Sequence, residues 1–160
     1  MRNSSHNKEI VNNYEARNYN ILIGIDPGQH NGMFLYNKKR AEYYCKTVSF
    51  WELIRELSER KKDNILVYIE NPNLNKPYFN REVGFRASTK IAQNVGSNKR
   101  DSQLIIEYMQ INEIPYIEIR PTTSKWTDNE FKQITGIRER LSQHVRDAAK
   151  LIWRFCKTEY

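Results

Sequence analysis

Cysteine is scarce in this 160-residue chain: Cys45 and Cys156 are the only two, far apart and outside any C-x-x-C pattern. That excludes a disulfide scaffold and a thiolate zinc site, and leaves two reduced core thiols of a cytoplasmic protein as the expectation. No apolar run approaches the ~18–20 residues that span a bilayer. The N-terminus has no apolar h-region, so neither secretion nor a membrane partner is expected. Internal repeats are absent too. Acidic residues are outnumbered, 19 against 26 Lys and Arg, for a net charge of +7. What is present is enough for one domain with a real core: 39% hydrophobic residues, with three Trp, ten Tyr and six Phe.

The basic excess is concentrated. Residues 76–100 hold Lys76, Arg81, Arg86, Lys90, Lys99 and Arg100 against Glu82 alone. Residues 120–146 hold Arg120, Lys125, Lys132, Arg138, Arg140 and Arg146 against three acids. The remainder of the chain is therefore slightly acidic. Such asymmetry points to a polyanionic partner, most simply nucleic acid. The loop 71–86 adds Tyr78 and Phe79 to Arg81 and Arg86, combining stacking faces with phosphate-binding charge. The alternative is a surface loop whose aromatics pack back on the sheet.

Residues 1–19 are Asn-rich, charged and aperiodic, which predicts a flexible tail ahead of a domain at 20–160. "ILIGID" (21–26), Gly32–Tyr36 and Arg40–Val48 read as three strands joined tightly, hence antiparallel. Ser49 and Glu52 fit a capping box, with Val48 and Leu53 as its staple, and open a helix that ends at "RKKDN". "ILVYIE" (65–70) is a buried strand, parallel to its neighbour if reached through a right-handed crossover. A helical region follows residues 71–86, most firmly from Asp101 to Ile111, and its start is open because Gly96 could be either a cap or a close-packing point. Its Leu104–Met109 stripe belongs to the core or to a dimer interface. "IPYIEIRP" is a fifth strand, residues 121–143 are irregular but for one turn at Glu130–Ile134, and a last helix spans about Ser142–Phe155.

Two of these strands end in carboxylates, Asp26 and Glu70, and the last helix carries His144 and Asp147 at i and i+3 on its inward stripe. Taken singly, Asp26 before Pro27 and Gly28 could merely start a turn. Glu70 could face solvent, His144 could be a packed histidine, and Asp147 could pair with Arg146 or Lys150. Together, three carboxylates and an imidazole from distant elements can converge on one spot, where repulsion is ordinarily relieved by divalent cations.

These residues resemble a known family. "IGIDPG", the acid in "YIEN" and "SQHVRDAA" opening the last helix are similar to the RuvC-type Holliday junction resolvases of the RNase H-like superfamily, over about residues 20–155. The resemblance implies an α/β, RNase H-like fold: a five-stranded mixed sheet, three antiparallel strands then parallel ones, flanked by helices. It implies a crossover junction endodeoxyribonuclease of DNA recombination, repair or phage DNA processing. Asp26, Glu70 and Asp147 match the family's catalytic carboxylates, and His144 stands where relatives place a fourth carboxylate or a histidine. These four would bind two Mg²⁺ or Mn²⁺ ions. Lys125, in "RPTTSKW", matches a lysine near the active site, and Gly96 with Arg100, in "NVGSNKR", matches a glycine- and arginine-bearing helix start. Tyr78, Phe79, Arg81, Arg86, Lys99, Arg100, Lys125, Arg138 and Arg140 are the expected DNA contacts. Tyr78 and Phe79 lie further from Glu70 than the family's stacking aromatic does, and residues 126–143 differ from its usual G-x-G-containing connection.

A four-way junction has approximate two-fold symmetry, so symmetric nicking implies a homodimer. Two rivals remain. One is an RNase H-like nuclease acting on flaps, other branched DNA or RNA–DNA hybrids; the other is a DNA-binding module that does not cut. An actin-like ATPase needs a duplicated domain for which 160 residues leave no room.

Overall fold

The computed structural model describes residues 16–75 and 85–156, with side chains described from residue 96 onward in the second span. Strands β1 (Ile21–Asp26), β2 (Asn31–Asn37) and β3 (Glu42–Val48) form an antiparallel meander. Helix α1 (Phe50–Arg60) then carries the chain to β4 (Ile65–Glu70), parallel to β1. Helix α2 (Phe85–Ile111) leads to β5 (Tyr116–Ile119), parallel to β4. Helices α3 (Asp128–Thr135) and α4 (Gln143–Cys156) close the described chain. The sheet order is β3-β2-β1-β4-β5, so the two strands that end in acids are adjacent near its centre. The fold class is the expected α/β with a five-stranded mixed sheet.

Period-two alternation divides the core. Ile23 and Ile25 of β1 with Val67 and Ile69 of β4 face α1 and α2, meeting Leu53, Leu57, Ile105 and Met109. Leu22 of β1 with Leu66 and Tyr68 of β4 face α4, meeting Val145, Ala148, Ile152 and Phe155. Leu53 and Leu57 are fully buried, and each contributes about 2 kcal/mol relative to exposure. Asp26 and Glu70 continue the α4-facing series (22, 24, 26 and 66, 68, 70). The alternation that builds the core therefore also aims both carboxylates at α4.

Helix α1 forms where the sequence predicts it. Ser49 accepts from the Glu52 N–H at 3.3 Å, and the Glu52 carboxylate accepts from the Ser49 N–H at 2.8 Å.

Several expectations are corrected. Residues 16–19 are not part of a loose tail: Ala16 is buried, its carbonyl accepts from Lys38 Nζ, and Tyr19 packs on the α4-side core. Residues 1–15 lie outside the described residues. Helix α2 does not start near Gly96, which is interior to it and exposed. Being interior it is not a cap, and among the described residues nothing lies within 4 Å of where a Gly96 Cβ would be. Ile105 and Met109 of the α2 stripe are core residues. Residues 121–143 hold a two-turn helix, α3, rather than a single turn. Thr127 and Glu130 form a second capping box, and Gly136 at φ 76° ends the helix in the left-handed region that glycine favours. No described helix is long and apolar enough to cross a membrane.

Candidate active site

The β1–β4 register pairs Ile25 with Ile69, so Asp26 and Glu70 stand side by side at the carboxyl end of the sheet. Asp26 is held by the turn behind it. Asn31, 1% exposed, accepts from the Gly28 N–H at 3.3 Å and donates to the Val48 carbonyl at 3.2 Å. This one amide ties the DPG turn to the end of β3. Helix α4 begins over the same spot: Ser142 accepts from the Val145 N–H at 3.3 Å, and Thr47 of β3 contacts the Ser142 hydroxyl at 2.9 Å.

The first turn of α4 supplies the remaining groups. His144 Nδ1 lies 2.9 Å from Asp26 Oδ2. An ionised Asp26 carboxylate can only accept, and Nδ1 is then the donor. Asp147, 5% exposed, accepts from Lys125 Nζ at 2.5 Å and from Gln143 Nε2 at 2.7 Å. Gln143 also donates to the Trp126 carbonyl at 3.3 Å, tying α4 to the segment that carries Lys125. All five residues expected in the site are thus brought together from β1, β4, the segment after β5, and α4.

The electrostatics follow from burial and like charge. Burial raises the Glu70 carboxyl to about 7, reinforced by the charges of Asp26 and Asp147 and opposed by Lys125. The Asp26 carboxyl is raised too, by burial and then by Asp147, against its hydrogen bond to His144. For Lys125, burial lowers the value, but the hydrogen bond and charge of Asp147 outweigh it and the net direction is upward. Burial first, and mutual repulsion second, thus work against the charged forms of Asp26 and Glu70.

Three carboxylates and an imidazole are the donors that Mg²⁺ or Mn²⁺ takes. Among the described residues no three His, Cys, Asp or Glu groups converge in ligating positions. Asp147 is occupied by Lys125 and Gln143, and Asp26 by His144. Both counter-groups are half exposed, the Lys125 side chain 55% and that of His144 51%, so neither is locked in place. The donor chemistry suits a divalent ion.

Glu70, Lys125 and Asp147 line a cleft of about 420 Å³. Its other walls hold Arg120, Lys150 and Arg154, none of which stood among the expected DNA contacts. Lys150 and Arg154 follow Asp147 at i+3 and i+7, a helical spacing visible in the sequence once α4 is drawn. Of the expected contacts, Lys99 and Arg100 lie on α2, Arg100 exposed. The Lys99 carbonyl accepts from Asn73 and Ser102, which both bond Asn71, the residue after Glu70. Arg138 lines a separate cleft with Tyr36, Tyr43 and Trp153, and Arg140 is exposed. Tyr78, Phe79 and Arg81 lie outside the described residues, as does the side chain of Arg86. No family model and no curated protein matches this chain.

Proposed function

We propose that this protein is a Mg²⁺- or Mn²⁺-dependent endonuclease that nicks branched DNA, with the four-way junction as substrate, as in the RuvC-type resolvases that its sequence resembles. The observation that carries this reading is the placement of Asp26 and Glu70 at adjacent strand ends and of Asp147 on α4 at the same end of the sheet, beside a cleft lined by Arg120, Lys125, Lys150 and Arg154. A fold that buries repelling carboxylates loses stability by it, and a metal-dependent active site gives that arrangement a use.

Asp26, Glu70, Asp147 and His144 would hold the ions. When bound, these would supply water activation and neutralisation of charge on a phosphodiester. Lys125 reaches the same space from the segment after β5 and is placed to counter charge on a phosphate oxygen. Gln143 keeps Asp147 turned toward the site, and Asn31 keeps the β1 turn in place. His144 orients the Asp26 carboxylate through Nδ1. The products would be a 5′-phosphate and a 3′-hydroxyl. Paired nicks across a two-fold junction would need two copies of the chain.

The test is a cleavage panel with Mn²⁺: four-way junction, flap, duplex and RNA–DNA hybrid. Paired, symmetric nicks in the junction are expected, with duplex left intact. Cleavage of flap or hybrid in preference to junction would move the substrate, and no cleavage of any of them would contradict the nuclease reading.

A further inference from the structure

The cleft that contains Glu70, Lys125 and Asp147 does not end at the acids. It continues along α4 and the outer edge of the sheet, where β5 is the last strand. Arg120, Thr122 and Ser124 line one side, and Lys150, Leu151 and Arg154 the other.

Among the described residues none of these three cations makes an ion pair with an acid. Arg154 lies over the Phe155 ring, 4.6 Å from its centroid. Lys150 donates to the Ser124 carbonyl and hydroxyl and sits 5.7 Å from the centroid of Trp126. It thus braces the segment that presents Lys125 while adding its own charge. The one further carboxylate in the cleft, Glu118, accepts from Asn71 at 2.7 Å.

We propose that this cleft is a phosphate track: the substrate strand leaves the acid cluster along α4 and the β5 edge, held by Arg120, Lys150 and Arg154. The identification of the strand as substrate rests on the nuclease reading above. The spacing suits a strand. Lys150 and Arg154 are one turn apart, about 6 Å along the axis. From Asp147 to Arg154 is about 10 Å of helix, the axial length of about three nucleotides. A track on this side assigns part of the basic excess to one flank of the scissile phosphate.

The experiment measures junction binding by fluorescence anisotropy in an Asp26→Asn background, between about 50 and 200 mM salt. Adding Arg120→Gln or Arg154→Gln is expected to weaken binding several-fold and to reduce the slope of log Kd against log salt by about one each. Arg154→Lys should keep the slope, because it keeps the charge. Arg55→Gln, exposed on α1 across the sheet, should change neither quantity. If Arg120→Gln and Arg154→Gln match Arg55→Gln in both affinity and slope, the track is overturned. Because this experiment reads binding and not cleavage, its result is separate from the nuclease reading, which is tested by cleavage with the unmodified chain.

Discussion

Gly32 and His144 meet so closely that a Cβ added to Gly32 would fall 2.0 Å from the His144 carbonyl oxygen. Gly24 stands in the same relation to Ala148, one turn further along α4, also at 2.0 Å. Two glycines on the α4-facing side of β1 and β2 thus set how deeply the helix lies, and that depth lets His144 reach Asp26. Gly32→Ala must push backbone away, because the obstacle is a carbonyl and not the end of a flexible side chain. It is expected to lower stability by ~1–3 kcal/mol and to reduce cleavage as His144 lifts from Asp26. Gly96→Ala, mid-helix and exposed, should instead raise stability by ~0.5–1 kcal/mol. Thermal unfolding of the two variants checks both signs.

Glu70 makes stability depend on pH in a stated direction. Its carboxyl rises from an ordinary 4.5 to about 7 in the fold. The unfolded chain therefore gives up this proton first, and folded stability falls as pH climbs from about 4.5 to about 7. Glu70→Gln removes the term. In chelator, the variant should be more stable than the parent at pH 8, by roughly 1–2 kcal/mol after discounting for partial exposure. The gain should vanish at pH 4.5. Denaturant unfolding at the two pH values reads the difference, and an equal effect at both would remove Glu70 as its source.

Lys125 touches Asp147 but projects half into the cleft. If it meets developing charge on the phosphate, Lys125→Gln should lower kcat by roughly 10²-fold with KM little altered. A raised KM with kcat intact would make Lys125 a binding residue instead. Steady-state kinetics on junction DNA separates the two.

The sheet, α1 and α4 were legible because their signals are local: hydrophobic runs closed by acids, a Ser49–Glu52 capping box, and an inner stripe at Ala148, Ile152 and Phe155. Even the aim of Asp26 and Glu70 follows from counting by twos along β1 and β4. Helix α3 reads only as a single turn at Glu130–Ile134, although Thr127–Glu130 repeats the Ser49–Glu52 pattern, because its polar exposed face hides the deeply buried Phe131. The start of α2 is open in the sequence because Gly96 breaks the apolar periodicity without breaking the helix. Arg120, Lys150 and Arg154 were missed as a group for a different reason. Only the packing of α4 beside β5 brings residues 120 and 154 into one cleft, and no spacing rule connects them. Asn31 and Asn71 carried no distinguishing signal among so many asparagines.

The central claim is that the three carboxylates form one metal-dependent cutting site. It is tested most directly by incubating four-way junction DNA with the unmodified chain and with Asp26→Asn, Glu70→Gln and Asp147→Asn, each in Mg²⁺, Mn²⁺ and EDTA, while measuring junction binding in parallel. The account predicts nicking by the unmodified chain in either metal and none in EDTA. It predicts loss of nicking in all three variants, with junction affinity held within a few-fold, since binding rests on the basic surface. Full cleavage by any one variant, or undiminished cleavage in EDTA, would contradict it.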